Sequence, residues 1–161
     1  MISDRIATTP DLLSTFSLES KCKTLCPYAL ILYSGSVFNP DLITGIKQQN
    51  VENKPTREIA ALLANKYKSL HKASVESAVL SRFGFSSFEE FHNKQNYLNP
   101  EVAKNITTLI TSYNIGIDLL LAGIDSEAHI FHIGELGTFC CYDEPGFRCI
   151  GCGQGNRRLG N

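Results

Sequence analysis

Six cysteines and four histidines are the residues of this 161-residue chain with the most chemistry to offer, and their spacing decides what kind. Cys22 and Cys26 have three residues between them in "CKTLC", and Cys149 and Cys152 have two between them in "CIGC". Together they could supply four thiolates to a tetrahedral zinc. The plainer reading is that most of the thiols are core. Cys26 leads into "PYALILYSG" and Cys149 alternates with Ile150 in a run that reads as buried strand, where a free cysteine behaves as a small hydrophobe. In "HIFHIGE", strand alternation puts His129 with Phe131 and Ile133 on one face and His132 with Ile130 on the other. The two imidazoles cannot share a metal, and core or rim packing is expected of both. His92 reads as a surface residue. A nucleotide-binding reading of "GCGQGN" fails because no amphipathic helix follows to place its N-terminus under a phosphate.

The elements that must position these residues follow from periodicity. "YALILYSGS", Tyr28 to Ser36, is an apolar run ended by Gly and Ser, and "FNPDLITGIKQQ" offers Asn39 as a helix cap with Pro40 at the first helical position. From Pro55, Ile59, Leu62, Leu63, Tyr67 and Leu70 form one helical stripe opposite lysines. "SVESAVLSRFGFSSFEEFHNK" reads as two short helices broken at Gly84, the second capped by Ser86 or Ser87 with Glu89 and Glu90 in its first turn. Asn99 and Pro100 open a further helix whose stripe is Val102, Ile106, Leu109, Ile110 and Tyr113. Then the period changes: "IDLLLAGID", "HIFHIGE", "GTFCCYD" and "FRCIGCG" read as four strands in a meander. Helices in the middle and strands at both ends predict a layered α+β fold in a single domain spanning 1–161, with 153–161 a flexible Gly-rich tail.

Composition narrows the function classes. Fifteen Lys and Arg against sixteen Asp and Glu give a formal net charge of -1, so no global field recruits nucleic acid or anionic lipid. No apolar run approaches the roughly 20 residues of a membrane span, and "MISDRIATTPDLLSTFS" lacks the basic start and apolar segment of a signal peptide. A cytoplasmic placement is the expectation, with the cysteines reduced.

Three phrases fall in order: "ISDRIATT", "KCKTLCPYALILYSGS", and "LLLAGID…HIFHIGELGTFCCYDEPGFRCIGCG". From about Ser3 to Gly153 the chain resembles the proteasome family of N-terminal nucleophile hydrolases, most of all the bacterial proteasome-subunit-like proteins. The resemblance implies a four-layer αββα sandwich, helices outside and two antiparallel sheets inside. It also implies a threonine-type nucleophile at the mature N-terminus, activated by its own α-amine. An amine with a reference pKa near 8 suits that role at neutral pH better than a lysine.

Carried over residue by residue, the resemblance makes Asp4 the family's aspartate, Lys21 (rather than Lys23) its active-site lysine, and Gly35 the glycine whose N–H supplies the oxyanion hole. An ordinary turn glycine is the alternative for Gly35. Cys152 stands where the family usually has the serine of Gly-Ser-Gly, and a thiol is a much weaker hydrogen-bonding group than a hydroxyl. The family's first two strands, with the nucleophile at the head of the first, would precede Ser3, and its last two helices would follow the loop at Cys152. Removal of Met1 would expose Ile2, and Ser3, Thr8 and Thr9 lie past the nucleophile's position.

The expectation is therefore a chain of peptidase or amide-hydrolase lineage, inactive as it stands, incomplete at both ends, and assembled with like subunits. It needs no cofactor, and a peptide is the substrate if an intact form exists. A non-catalytic subunit of a ring or heteromer is the alternative, and a cysteine-rich zinc or redox protein a second.

Overall fold

A computed structural model describes residues 6–8, 14–16, 21–35, 46 and 50–151. The described chain divides into two compact units, 1–67 with 116–161, and 68–115.

The first unit is built on an antiparallel sheet of five strands in the order β3-β4-β5-β6-β7: β3 Cys22–Cys26, β4 Ala29–Gly35, β5 Ile117–Ile124, β6 Ala128–Ile133 and β7 Phe139–Cys141. A further pair, β1 Ile6–Thr8 and β2 Ser14–Phe16, is antiparallel from Ile6 opposite Phe16 to Thr8 opposite Ser14. The longest register joins β4 to β5, from Ala29 opposite Gly123 to Gly35 opposite Ile117. Ile31, Leu119, Leu121, Phe131 and Ile133 lie on one face of the sheet by this register and that of β6, and all are essentially fully buried. Period-2 alternation thus gives the sheet one core face.

Helix α1, Thr56–Ala78, begins over that face. Ile59, Leu63 and Tyr67 of the expected stripe are buried, while Leu62 and Leu70 are only half-buried. At one end of the sheet a Cβ on Gly123 would meet Thr56 Oγ1 at 2.5 Å, so only glycine lets the helix start so close to β5. At the other end Tyr67 Oη donates to the Ile117 carbonyl at 2.9 Å. The first three turns of α1 therefore run along β5 in the opposite direction. Of the expected helix after Asn39, only Ile46 is among the described residues, and it is helical and buried.

The second unit holds the rest of α1, helix α2 (Phe88–Lys94) and helix α3 (Pro100–Ser112) around Leu80, Phe85, Phe91 and Ile106. Its punctuation follows capping chemistry. Ser87 Oγ accepts from Glu90 N at 3.1 Å, and Glu90 reaches back to Ser86 N at 2.8 Å, satisfying donors at the start of α2. Asn99 Oδ1 accepts from Glu101 N at 2.9 Å ahead of α3, with Pro100 where its missing N–H costs nothing.

Three expectations need correction. The first of the two short helices before Gly84 is the continuation of α1, because no glycine or proline interrupts Thr56–Ala78; only a 3-10 turn, Leu80–Phe83, separates it from Gly84. The stripe of α3 buries Ile106 fully but leaves Val102 and Leu109 about two-fifths exposed. The fourth strand of the meander does not form among the described residues. After Tyr142 N donates to the Ile130 carbonyl, Pro145 offers no N–H and Gly146, at φ +70°, closes a turn back to Tyr142 O that carries the chain out of the ladder. Cys149 is half-buried in that irregular segment.

Two left-handed glycines separate conformational from steric cost. Gly84 has φ +80° and open space where a side chain would stand, whereas Gly35 has φ +134° and a Cβ there would lie 2.0 Å from the Gly116 carbonyl oxygen. Gly84→Ala should cost about 1 kcal/mol from the backbone alone, and Gly35→Ala about 3 kcal/mol or more from backbone and collision together. Urea denaturation of the two variants measures both, and equal costs would contradict the placement of Gly35.

Candidate functional site

The residues assigned by resemblance meet in part at the Gly35 end of the sheet. Lys21, half-buried just ahead of β3, accepts through its carbonyl from Tyr33 N at 3.0 Å, which places it beside the last residues of β4 before Gly35. Gly35 closes β4 against Gly116 and Ile117. Gly151, at φ +75°, sits so close to Ser34 that a Cβ would fall 2.6 Å from Ser34 Oγ. Three segments far apart in sequence thus converge: the approach to β3, the end of β4, and the loop that leads to Cys152. Asp4 and Cys152 themselves, with Ser3 and Thr9 and the tail 153–161, lie outside the described residues, and Thr8 ends β1.

The glycine at position 35 has a steric reason that needs no catalysis, since its φ and the adjacent Gly116 carbonyl exclude any side chain. For the zinc reading, Cys22 and Cys149 are half-buried and Cys26 is buried, and among the described residues no three His, Cys, Asp or Glu side chains are grouped to hold a metal.

A denser set of ionisable groups lies at the opposite end of the sheet, roughly 20 Å away along β5 at about 3.3 Å per residue. His129 on β6 is held from both sides: Nδ1 lies 2.8 Å from Asp143 Oδ2 and Nε2 lies 3.1 Å from Asp125 Oδ1. Asp125 also accepts from Thr56 N at 2.7 Å, placing a carboxylate at the positive start of α1. Asp143 also accepts from Ile130 N at 2.7 Å, which ties the turn after β7 to β6. This one imidazole therefore links α1, the β5–β6 turn, β6 and the turn after β7.

The electrostatics follow the geometry. The N–H of Thr56 is the main cause that holds Asp125 at about 2, ahead of the Ser126 and Glu127 backbone amides. Asp143 is likewise held at about 2, first by the Cys141 thiol and then by His129. Its carboxylate in turn pushes the Cys141 thiol up, and Asp143 is the first cause that raises His129 above its ordinary value. An imidazolium with both N–H groups given to carboxylates has no lone pair to accept a proton. With both nitrogens taken by carboxylates, His129 clamps the fold and presents no open nitrogen to a substrate.

The cavity beside it, about 550 Å³ and open to solvent, is lined by Tyr28, Lys54, Pro55, Ile124 and Asp125 among others. Three of its polar side chains are already engaged. Tyr28 Oη donates to the Val51 and Lys54 carbonyls at 2.9 and 2.7 Å, Lys54 pairs with Glu58, and Asp125 serves Thr56, Ser126 and His129.

His132 differs from His129. Its Nε2 lies 3.2 Å from Asp118 Oδ1, and among the described residues nothing bonds its Nδ1. Tyr142 stands edge-on to it at 6.4 Å, with the Arg148 guanidinium 4.9 Å above the tyrosine ring. The two histidines stand on opposite faces, as strand alternation predicts, but alternation does not reveal their carboxylate partners. The signals are present as Asp125 four residues before His129 and Asp143 two residues after Cys141; pairing them requires the β6–β7 register.

The clamp predicts a pH window. His129 is raised, so its contribution is complete below about 6.5 and is lost as pH rises through its folded value. Asp125 and Asp143 are lowered to about 2, so theirs is complete above about 4 and is lost as pH falls toward about 2. Stability against urea should be highest between these limits, and His129→Gln should flatten the alkaline side. An NMR titration placing the His129 midpoint below 6.5 would contradict the clamp.

A comparison with protein-family models finds no match to this chain, and a comparison with curated proteins finds no relative.

Proposed function

We propose that this chain is a cytoplasmic proteasome-like subunit of amide-hydrolase lineage that assembles with like subunits and does not itself hydrolyse peptides. The observation that carries the reading is the convergence at the Gly35 end, where Lys21 pairs with Tyr33 and Gly151 packs on Ser34, so that segments the resemblance assigns to one site come to one place. An α+β fold with a five-stranded antiparallel sheet and three helices among the described residues is compatible with the finer expectation of an αββα sandwich, which belongs to the same proposal.

Two features favour the non-catalytic form. Cys152 replaces the hydroxyl that the family's loop offers, and a thiol is a poor substitute in a hydrogen-bonded proton path. Gly35 is required sterically by Gly116, so its presence is explained without an oxyanion to bind. No helix among the described residues is long and apolar enough to cross a membrane.

The protein should show no turnover of fluorogenic peptides, no covalent adduct with a threonine-directed epoxyketone, and a defined oligomer by native mass spectrometry. An adduct at any residue would overturn the non-catalytic reading. A strictly monomeric protein would overturn the assembly.

A further inference from the structure

The two vicinal cysteines of β7 stand beside different partners. Strand alternation sends Cys140 and Cys141 to opposite faces, and both are exposed, so access does not distinguish them. Cys141 shares a hydrogen bond with the Asp143 carboxylate, which holds the proton on sulfur. Cys140 lies directly opposite His132 in the β6–β7 register. Directly opposed side chains have Cβ atoms about 5 Å apart, within reach of a thiol and an imidazole.

His132 is in turn one step along the face from Asp118. Leu120 is its partner on β5, and Asp118, two residues before Leu120, projects from the same face and bonds Nε2 at 3.2 Å. Three adjacent strands thus present carboxylate, imidazole and thiol in that order. The carboxylate engages one nitrogen of the ring, and among the described residues Nδ1 takes no hydrogen bond.

We propose that Cys140, His132 and Asp118 form a reactive thiol centre whose ligands are small molecules with an electrophilic carbon bearing a leaving group. The Cys140 proton passes to His132 Nδ1, and the imidazolium is stabilised by Asp118. The thiolate sulfur attacks the carbon; the C–S bond forms as the bond to the leaving group breaks, and that group departs with the electron pair. His132 then releases its proton to the leaving group or to water. No oxidant, metal or second cofactor enters. The centre lies on the face of the sheet opposite His129 and does not depend on the lineage reading.

Iodoacetamide is the probe, with iodide as leaving group, in a quenched time course at pH 7.5 on the full chain and adducts assigned to individual cysteines by fragment mass spectrometry. Cys140 should be alkylated at least about tenfold faster than Cys141, as expected for a thiolate stabilised by an imidazolium against a thiol held by a carboxylate. His132→Gln should slow Cys140 by about tenfold and leave Cys141 unchanged. Asp118→Asn, which keeps the ring and removes only its charge partner, should slow Cys140 in the same sense and guards against a folding defect in the first variant. Equal rates at the two cysteines in the unaltered protein, or a Cys140 rate that neither substitution lowers, would overturn the proposal.

Discussion

The register of β4 on β5 is the constraint on which the rest of the first unit depends. Seven consecutive partners run from Ala29 opposite Gly123 to Gly35 opposite Ile117, and a slip of one residue would put Ile31 on the opposite face from Leu119 and Leu121 and split the core. Glycine fixes both ends of that pairing. At one end Gly123 admits Thr56 and the start of α1; at the other Gly35 passes under the Gly116 carbonyl. Helix α1 is aligned along β5 by the contacts at these two ends, Thr56 against Gly123 and Tyr67 on the Ile117 carbonyl.

Because the sheet is fixed in this way, its polar groups separate by end and by face. The Gly35 end gathers Lys21, Ser34 and Gly151. The far end holds the Asp125, His129 and Asp143 clamp, and the face away from α1 carries Asp118, His132 and Cys140. The two histidines show how environment sets role. His129 has both nitrogens given to carboxylates and fastens the end of the sheet, whereas His132 has one nitrogen engaged, by Asp118. The same alternation divides the neighbouring cysteines, one facing a carboxylate and the other an imidazole.

Much of this is legible in local sequence. Asn99 with Pro100, Ser87 with Glu90, and the Ile59, Leu63, Tyr67 stripe are short-range signals, and each forms as its chemistry dictates. The alternation in "HIFHIGE" assigns the faces of both histidines. What is not legible rests on contacts across the sheet. Nothing near Asp143 in sequence announces that it will meet His129, and nothing near Cys140 announces His132. The expected fourth strand fails for a local reason, the Pro145 and Gly146 turn, which outweighs the apolar alternation of "FRCIG". The exposure of Val102 and Leu109 on α3 stays hidden because a periodic stripe shows which side of a helix is apolar but not how much of it is covered.

Native-state hydrogen exchange tests the central claim, the β4–β5 register, most directly. In a pairing that carries the core, the hydrogen-bonded amides of Ile31 to Tyr33 and Leu119 to Leu121 should exchange last in the first unit, slower than those of β3 and β7 at the sheet's edges. Edge amides that outlast them, or β4 and β5 amides that exchange in separate groups, would contradict the account.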